Sequence, residues 1–277
     1  MTVTARNRVI VLLFAITIPL MVLLALRGTA ILAGLEAFST SGVIRSRGLF
    51  QLFGGFFFSR SALAVLLSVL FFLLYSAIAQ INLYWHFEKT PVPEVFYLSL
   101  FLGSLAPEAL RGIFLASFSQ PLSMAWALVL GRVLIFSRMF GLFSFLAASL
   151  VACNQDFRKH GRSSFAIVGV SLLLSSGFPL DTLSWLSNAS PMPLFGDILF
   201  IIEVAISLLS CLSFLAASFI REAPELRSLS LMALMIVLGR DALMNGDSYL
   251  SFGFGALLLA VGFLYMVRRI HRYYLWI

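Results

Sequence analysis

Hydrophobic positions along this chain fall in long, almost charge-free blocks separated by short polar intervals. Blocks of that length read as transmembrane helices, each sufficient for a hydrocarbon core of about 30 Å. The first runs over residues 9–26, behind Arg6 and Arg8. Its ~18 apolar residues exceed the usual signal-peptide core, so it reads as an uncleaved signal anchor. Small residues in 27–33 keep cleavage open as an alternative. Residues 27–60 break the pattern with Arg27, Arg45, Arg47, Arg60 and several Gly and Ser. They predict an extracytoplasmic segment with interfacial pieces, among them the apolar patch at 49–58. Seven further spans follow at 61–81, 94–117, 122–152, 165–186, 198–220, 229–243 and 249–267. The expectation is an all-α, multi-pass membrane bundle of about eight helices, organised as an anchor (1–26), an interfacial segment (27–60) and a seven-helix bundle with a short basic tail (61–277).

Composition agrees with the pattern. The chain is 61% hydrophobic and 11% charged, with mean hydropathy +1.01, which no soluble domain of 277 residues approaches. The net charge of +7 sits mostly in short loops and tails. That distribution follows the positive-inside rule and is not a nucleic-acid footprint. With the N-terminus in the cytoplasm, Arg6, Arg8, Lys89, Arg158, Lys159, Arg162, Arg221, Arg227, Arg268, Arg269 and Arg272 lie inside. Only Arg27, Arg45, Arg47 and Arg60 lie outside, all in one segment. Both termini are thus expected in the cytoplasm, the lipid bilayer is the first partner, and a bacterial inner membrane is the expected location. Tyr84, Trp85, Trp185, Tyr249, Tyr273, Tyr274 and Trp276 near span ends read as an aromatic belt.

The candidate chemistry is a set of ionisable residues inside the apolar blocks: Glu108, Arg111, Arg132, Arg138, Asp181, Glu203, Arg240 and Asp241. Charges in hydrocarbon are costly, so such residues face a bundle interior or a wet cavity and usually pair. Counting from the turn at 117–121, Glu108 and Arg132 lie at about the same depth, ~15 Å from the outer end. They are the expected ion pair, with Arg111 three residues on and sharing the face of Glu108. Pro107 predicts a kink beside that carboxylate, because it removes one backbone hydrogen bond and crowds the carbonyl of Gly103. Arg111, Asp181, Glu203, Arg240 and Asp241 are the expected lining of an outward polar cavity. Arg138 is expected to stand alone. Fixed structural ion pairs and a carboxylate proton relay are the other readings of the same set.

Other chemistries find less footing. No His lies within a span, so paired-histidine haem ligation and intramembrane Ser–His or zinc catalysis have no candidate residues. Cys153 and Cys211 form no CxxC motif. No phosphate-binding glycine motif is present. The cluster Asp156, Arg158, Lys159, His160 and Arg162 reads as a positive-inside hairpin. Asn188-Ala-Ser190 matches a glycosylation acceptor, with Pro191 behind it. No cofactor, no metal and no enzymatic activity are expected.

One N-terminal apolar segment, an outer segment and seven spans resemble bacterial seven-transmembrane sensor modules over residues 61–272, with 101–111 as the nearest thing to a motif. The resemblance implies a sensor-like role. The outer segment is too short for a folded ligand-binding domain and about ten residues follow the last span, so a signal would pass to a separate membrane or cytoplasmic protein. The sequence thus points to a non-catalytic sensor-like or accessory subunit with an outward polar cavity for a ligand or partner helix. The alternative is a transporter component using intramembrane carboxylate–arginine pairs.

Overall fold

The computed structural model describes residues 3–40, 60–89, 92–153, 160–221 and 227–275. The apolar patch at 49–58, Arg45, Arg47, Asp156, Arg158, Lys159 and Trp276 lie outside the described residues. The elements are α1 (Val3–Leu26), α2 (Gly28–Thr40), α3 (Ala62–Phe87), α4 (Pro93–Gly103), a 3-10 helix (Ala106–Leu110), α5 (Arg111–Ser117), α6 (Met124–Cys153), α7 (His160–Gly177), β1 (Leu180–Trp185), β2 (Pro191–Pro193), α8 (Gly196–Ile220), α9 (Arg227–Asn245) and α10 (Tyr249–Leu275). Seven candidate spans are long and apolar enough to cross a membrane, one of them the broken run Pro93–Ser117. α7, whose first turn is polar, is not among the seven; it packs on α6.

The broken run Pro93–Ser117 is the axis of the bundle and almost wholly buried. α1, α3 and α6 flank it, and α10, α9 and α8 complete a ring from α3 back to α6. The break lies where proline and small residues coincide. Pro93 starts α4 at a position where the missing N–H costs nothing. Beyond Gly103 the hydrogen bonds shorten to three-residue steps, Leu105 N to Leu102 O at 3.1 Å and Glu108 N to Leu105 O at 3.2 Å. Pro107 falls inside this 3-10 turn rather than merely kinking a continuous helix. Polar side chains of α3 add donors beside the break: Ser76 Oγ donates to Leu102 O and Gln80 Nε2 to Ser99 O, both at 2.7 Å. That is how a helix break is tolerated in an apolar interior.

The expected helix at 165–186 is corrected. Gly177 and Pro179 end α7. Residues from Leu180 onward instead form an antiparallel hairpin with β2, pairing Asp181 with Met192 and Trp185 with Pro191. Its turn is closed by Leu186 N to Ser190 O at 2.9 Å, with Ala189 at φ 58 in the left-handed region. The hairpin, the 117–123 turn, α2 and the α9–α10 turn gather at one end of the bundle. Ser61 N donates to Asp247 O at 2.7 Å and Ser119 Oγ to Ala30 O at 2.8 Å there.

At the opposite end α1 is tied to the C-terminus of α3. Arg6 Nη2 donates to Phe87 O, and Asn7 Nδ2 to Glu88 O at 3.0 Å. These are carbonyls that a helix end leaves without internal partners. Arg6 therefore has a buried packing role in addition to its place in the basic distribution. α1 continues up the broken run, with Leu13 against Gly103 and Leu24 against Gly112.

α2 is a short helix within the segment between the first apolar block and residue 60. At 13 residues it is only ~20 Å long, too short to span. It lies against α5 so closely that a Cβ on Gly34 would come within 2.0 Å of Leu115 O. Gly34→Val is expected to destabilise the purified protein by about 3 kcal/mol, as overpacking against backbone does. Gly28→Ala, whose Cβ meets nothing within 4 Å, leaves stability unchanged. Denaturant unfolding in detergent checks both; equal stability of the two variants would contradict the packing.

Candidate functional site

The centre of the molecule is a carboxylate held between two guanidiniums. Glu108 sits in the 3-10 helix and is fully buried. Arg138 of α6 grips it in a two-pronged contact, Nε to Oε1 at 2.7 Å and Nη2 to Oε2 at 3.0 Å. Paired charge-assisted hydrogen bonds of this kind are the strongest that side chains make. Arg111 Nε lies 2.9 Å from Glu108 Oε2. Its N–H is not aligned for a hydrogen bond, so the contact is one of charge.

Arg111 spends its other nitrogens elsewhere. Nη1 donates to Met244 O at 3.0 Å and to Asn188 O at 3.4 Å; Nη2 donates to Ser68 Oγ at 3.2 Å and to Leu243 O at 3.4 Å. Its guanidinium carbon stands 5.7 Å from the centre of the Phe72 ring. Leu243 and Met244 belong to the last turn of α9. Arg111 thus caps the negative end of α9. The sequence places Arg111 beside Glu108, and the structure agrees. It is not among the residues that line the cavity described below.

Two expectations about α6 are reversed. Arg132 is exposed and does not meet Glu108; the carboxylate's partner on α6 is Arg138, which the depth estimate leaves alone. Helical phase decides this. Gly131, Leu134, Arg138, Leu142 and Phe145 recur at three- and four-residue steps and face inward, as helical periodicity requires. Arg132 is 240° from Arg138, among the exposed residues Trp126, Val129 and Val133. An arginine on that face, about two turns from the helix start, can extend toward the headgroups.

Arg240 and Asp241 are also drawn inward rather than lining an outer vestibule. Arg240 Nη2 donates to Arg138 O at 3.0 Å, and Asn245 Nδ2 donates to Asp241 Oδ1 at 2.9 Å. Arg138 and Arg240 both feel the fields of Glu203 and Asp241. The cluster Glu108, Arg111, Arg138, Glu203, Arg240 and Asp241 therefore has three positive and three negative groups. Asp181 is separate, half-buried on β1.

Beside this cluster lies a cavity of about 390 Å³ between α6, the hairpin and the start of α8. Its polar lining is Arg138, Asn245, Ser190, Glu203 and Asp197; Leu134, Ile135, Met192, Phe195 and Ile198 are among its apolar lining. Of the predicted vestibule residues only Glu203 reaches it. Outside the spans, burial and the nearby Asp247 set Arg60: burial holds its guanidinium below the usual arginine range and the carboxylate partly offsets it. Among the described residues no three His, Cys, Asp or Glu side chains are grouped as metal ligands would be.

Sequence reasoning missed two sites. Asn188 is a buried hub: its Nδ2 donates to Met244 O at 2.9 Å, its Oδ1 accepts from Ser190 Oγ at 2.7 Å, and its carbonyl accepts from Arg111. The Asn-Ala-Ser triplet hid a turn residue. At the opposite end, Glu94 accepts from Tyr274 Oη at 2.8 and 2.9 Å and meets Arg221 at 3.5 Å. Arg221 also donates to Val151 O at 3.2 Å. Their positions at span ends made them read as topology and aromatic belt.

No family model matches the chain, and comparison with curated proteins and with solved structures finds no match either.

Removing the carboxylate leaves Arg111 and Arg138 facing each other without a counter-ion. Glu108→Gln is expected to cost about 3–5 kcal/mol, the range for breaking a buried pair from one side. Arg132→Leu is expected to be close to neutral. Unfolding in mild detergent measures both; a tolerant Glu108→Gln would contradict the buried clasp, and an Arg132→Leu as costly as Glu108→Gln would restore the depth-based pairing.

Proposed function

We propose that this protein is an integral inner-membrane protein of sensor-like or accessory kind, without catalytic chemistry of its own, whose lateral polar cavity receives a ligand. The observation that carries this reading is the 390 Å³ cavity, whose lining sets Arg138, Glu203, Asp197, Asn245 and Ser190 among apolar side chains. Concave, largely apolar sites with a few convergent polar groups are where small ligands bind. Its volume falls within the usual range of roughly 300–1,000 Å³ for such sites.

The division of labour among the charges favours binding over transport. Glu108 and Arg111 are fully buried and engaged on several sides by helix ends and the hairpin. A substrate passing between them would have to break the contacts that join α5, α6 and α9. Glu203 and Arg138 offer a cavity wall without that disruption. In this reading a bound ligand touches Arg138, and Arg138 holds Glu108. Occupancy is thereby communicated to the centre of the bundle, from which a partner protein would read it.

Single cysteines in a background with Cys153 and Cys211 replaced by Ser test the accessibility this requires. Glu203→Cys is expected to react with a membrane-impermeant thiol reagent added from the hairpin side. Cysteine at Gly112, beside the buried Arg111, is expected to stay unreactive in the folded protein. If position 203 is as inert as position 112 both to that reagent and to a membrane-permeant maleimide, no ligand reaches the cavity and the reading fails.

A further inference from the structure

At the end of the bundle where α1 is tied to α3, the two helices leave an open groove of about 610 Å³ between them. Arg8, Tyr84, Glu88 and Lys89 are among its polar lining, and Val11 and Leu12 are among its apolar lining. Hydrogen bonds fix the spacing of its walls. Asn7, which also lines it, donates Nδ2 to Glu88 O at 3.0 Å, and the neighbouring Arg6 donates to Phe87 O. Arg8 and Lys89 are exposed, and neither side chain makes a hydrogen bond or ion pair among the described residues. Glu88 is the one carboxylate in the lining, with Tyr84 Oη 3.5 Å from its Oε1. Two uncommitted cations outweigh that single carboxylate, so the groove favours an anion.

The order of the lining with depth says what kind of anion. Arg8 is the last charge before the apolar block of α1, and Lys89 stands just beyond the end of α3. Both cations therefore sit where headgroups meet hydrocarbon, the level at which the rings of Tyr84 and the exposed Trp85 are also favoured. Val11 and Leu12 lie about one helical turn farther from that end, ~5 Å deeper. Each is more than half exposed, and Ile16 continues the stripe four residues beyond Leu12. On a helix of membrane-spanning length and apolarity such a stripe faces lipid tails. Positive charge at the boundary, with an apolar strip leading inward from it, matches the order of headgroup and chains in a phospholipid.

We infer that the α1–α3 groove is a binding site for an anionic phospholipid, with its phosphate between Arg8 and Lys89 and an acyl chain along Val11, Leu12 and Ile16. Basic pockets between helices at a headgroup level are where anionic headgroups bind. A lipid seated there bridges α1 to the bundle at the same end as the Arg6 and Asn7 contacts. The site is separate from the cavity at Arg138, so this inference and the ligand reading of that cavity fail independently.

The test is native mass spectrometry of the full chain in mild detergent, with phosphatidylglycerol or phosphatidylethanolamine added in turn. Soluble glycerol phosphate supplies the anion without chains. Phosphatidylglycerol is expected to bind better than phosphatidylethanolamine, and excess glycerol phosphate is expected not to displace it. Arg8→Gln and Lys89→Gln are each expected to weaken phosphatidylglycerol about fivefold, the scale of one basic side chain beside an anionic lipid. Glu88→Gln, which removes the opposing charge, is expected to tighten it. Leu12→Trp is expected to weaken it by crowding the chain. The control is the pair Arg268→Gln and Arg272→Gln, both exposed on α10, whose His271 ring stands 5.5 Å from that of Phe87 at this same end. That pair removes equal charge outside the groove and is expected to leave binding unchanged. Equal or better binding of phosphatidylethanolamine overturns the anionic assignment, and full displacement by glycerol phosphate makes the groove a soluble-anion site and overturns the lipid. A loss with the α10 pair as large as that with Arg8→Gln and Lys89→Gln together makes the attraction diffuse and overturns the site.

Discussion

Glu108 is a single negative charge with no exposure to solvent, set where the central run of the bundle stops being an α-helix. A lone carboxylate in such surroundings is far too costly to keep ionised, so the fold around it has to supply cations. It supplies two, and each brings a different part of the chain. Arg138 brings the middle of α6, and Arg111 brings the C-terminal carbonyls of α9 and the turn of the hairpin. Apolar packing cannot choose among helix registers with much precision when both lipid and helix surfaces are hydrocarbon. A buried charge with fixed donors can. In this molecule the position of α6, the end of α9 and the seat of the hairpin all depend on one carboxylate.

The break that presents Glu108 is itself a product of local chemistry. Pro107 has no N–H and Gly103 has no side chain, so the chain passes into a tighter turn just where Leu13 of α1 lies against Gly103. Ser76 and Gln80 donate to the carbonyls of Leu102 and Ser99 beside it. Polar side chains that look scattered along α3 in the sequence are thereby accounted for. Arg138 also reaches the cavity next door, so the group that fixes the fold is exposed to whatever the cavity holds. That coupling underlies the sensor-like reading, because a ligand at Arg138 acts on the interaction that sets helix positions.

The sequence made the broad architecture legible because membrane-spanning blocks are long and strongly patterned. It also made Glu108, Arg111 and Pro107 stand out, since charge and proline inside such blocks are rare. It misassigned the partner of Glu108 because depth was counted along straight helices from one turn, whereas facing is set by phase. The inward stripe Gly131, Leu134, Arg138, Leu142, Phe145 was available to a phase argument and excludes Arg132. The hairpin was not legible as apolar periodicity: Leu180 to Trp185 is short and half polar, with Asp181, Thr182 and Ser184, and Gly177 and Pro179 signal the helix stop before it. Asn188 and the Glu94–Tyr274–Arg221 clasp were hidden for a different reason. Their partners lie 56 to 180 residues away, and no local pattern encodes such distant contacts.

The central claim is that Glu108 and Arg138 act as one unit. A double-mutant cycle with Glu108→Gln and Arg138→Gln, read as unfolding free energy in mild detergent, measures that directly. The parallel cycle of Glu108→Gln with Arg132→Gln is the control. The structure predicts a coupling of about 2 kcal/mol or more for Glu108 with Arg138 and additivity for Glu108 with Arg132. Additivity within about 0.5 kcal/mol for Glu108 with Arg138, or coupling that appears only with Arg132, would contradict it.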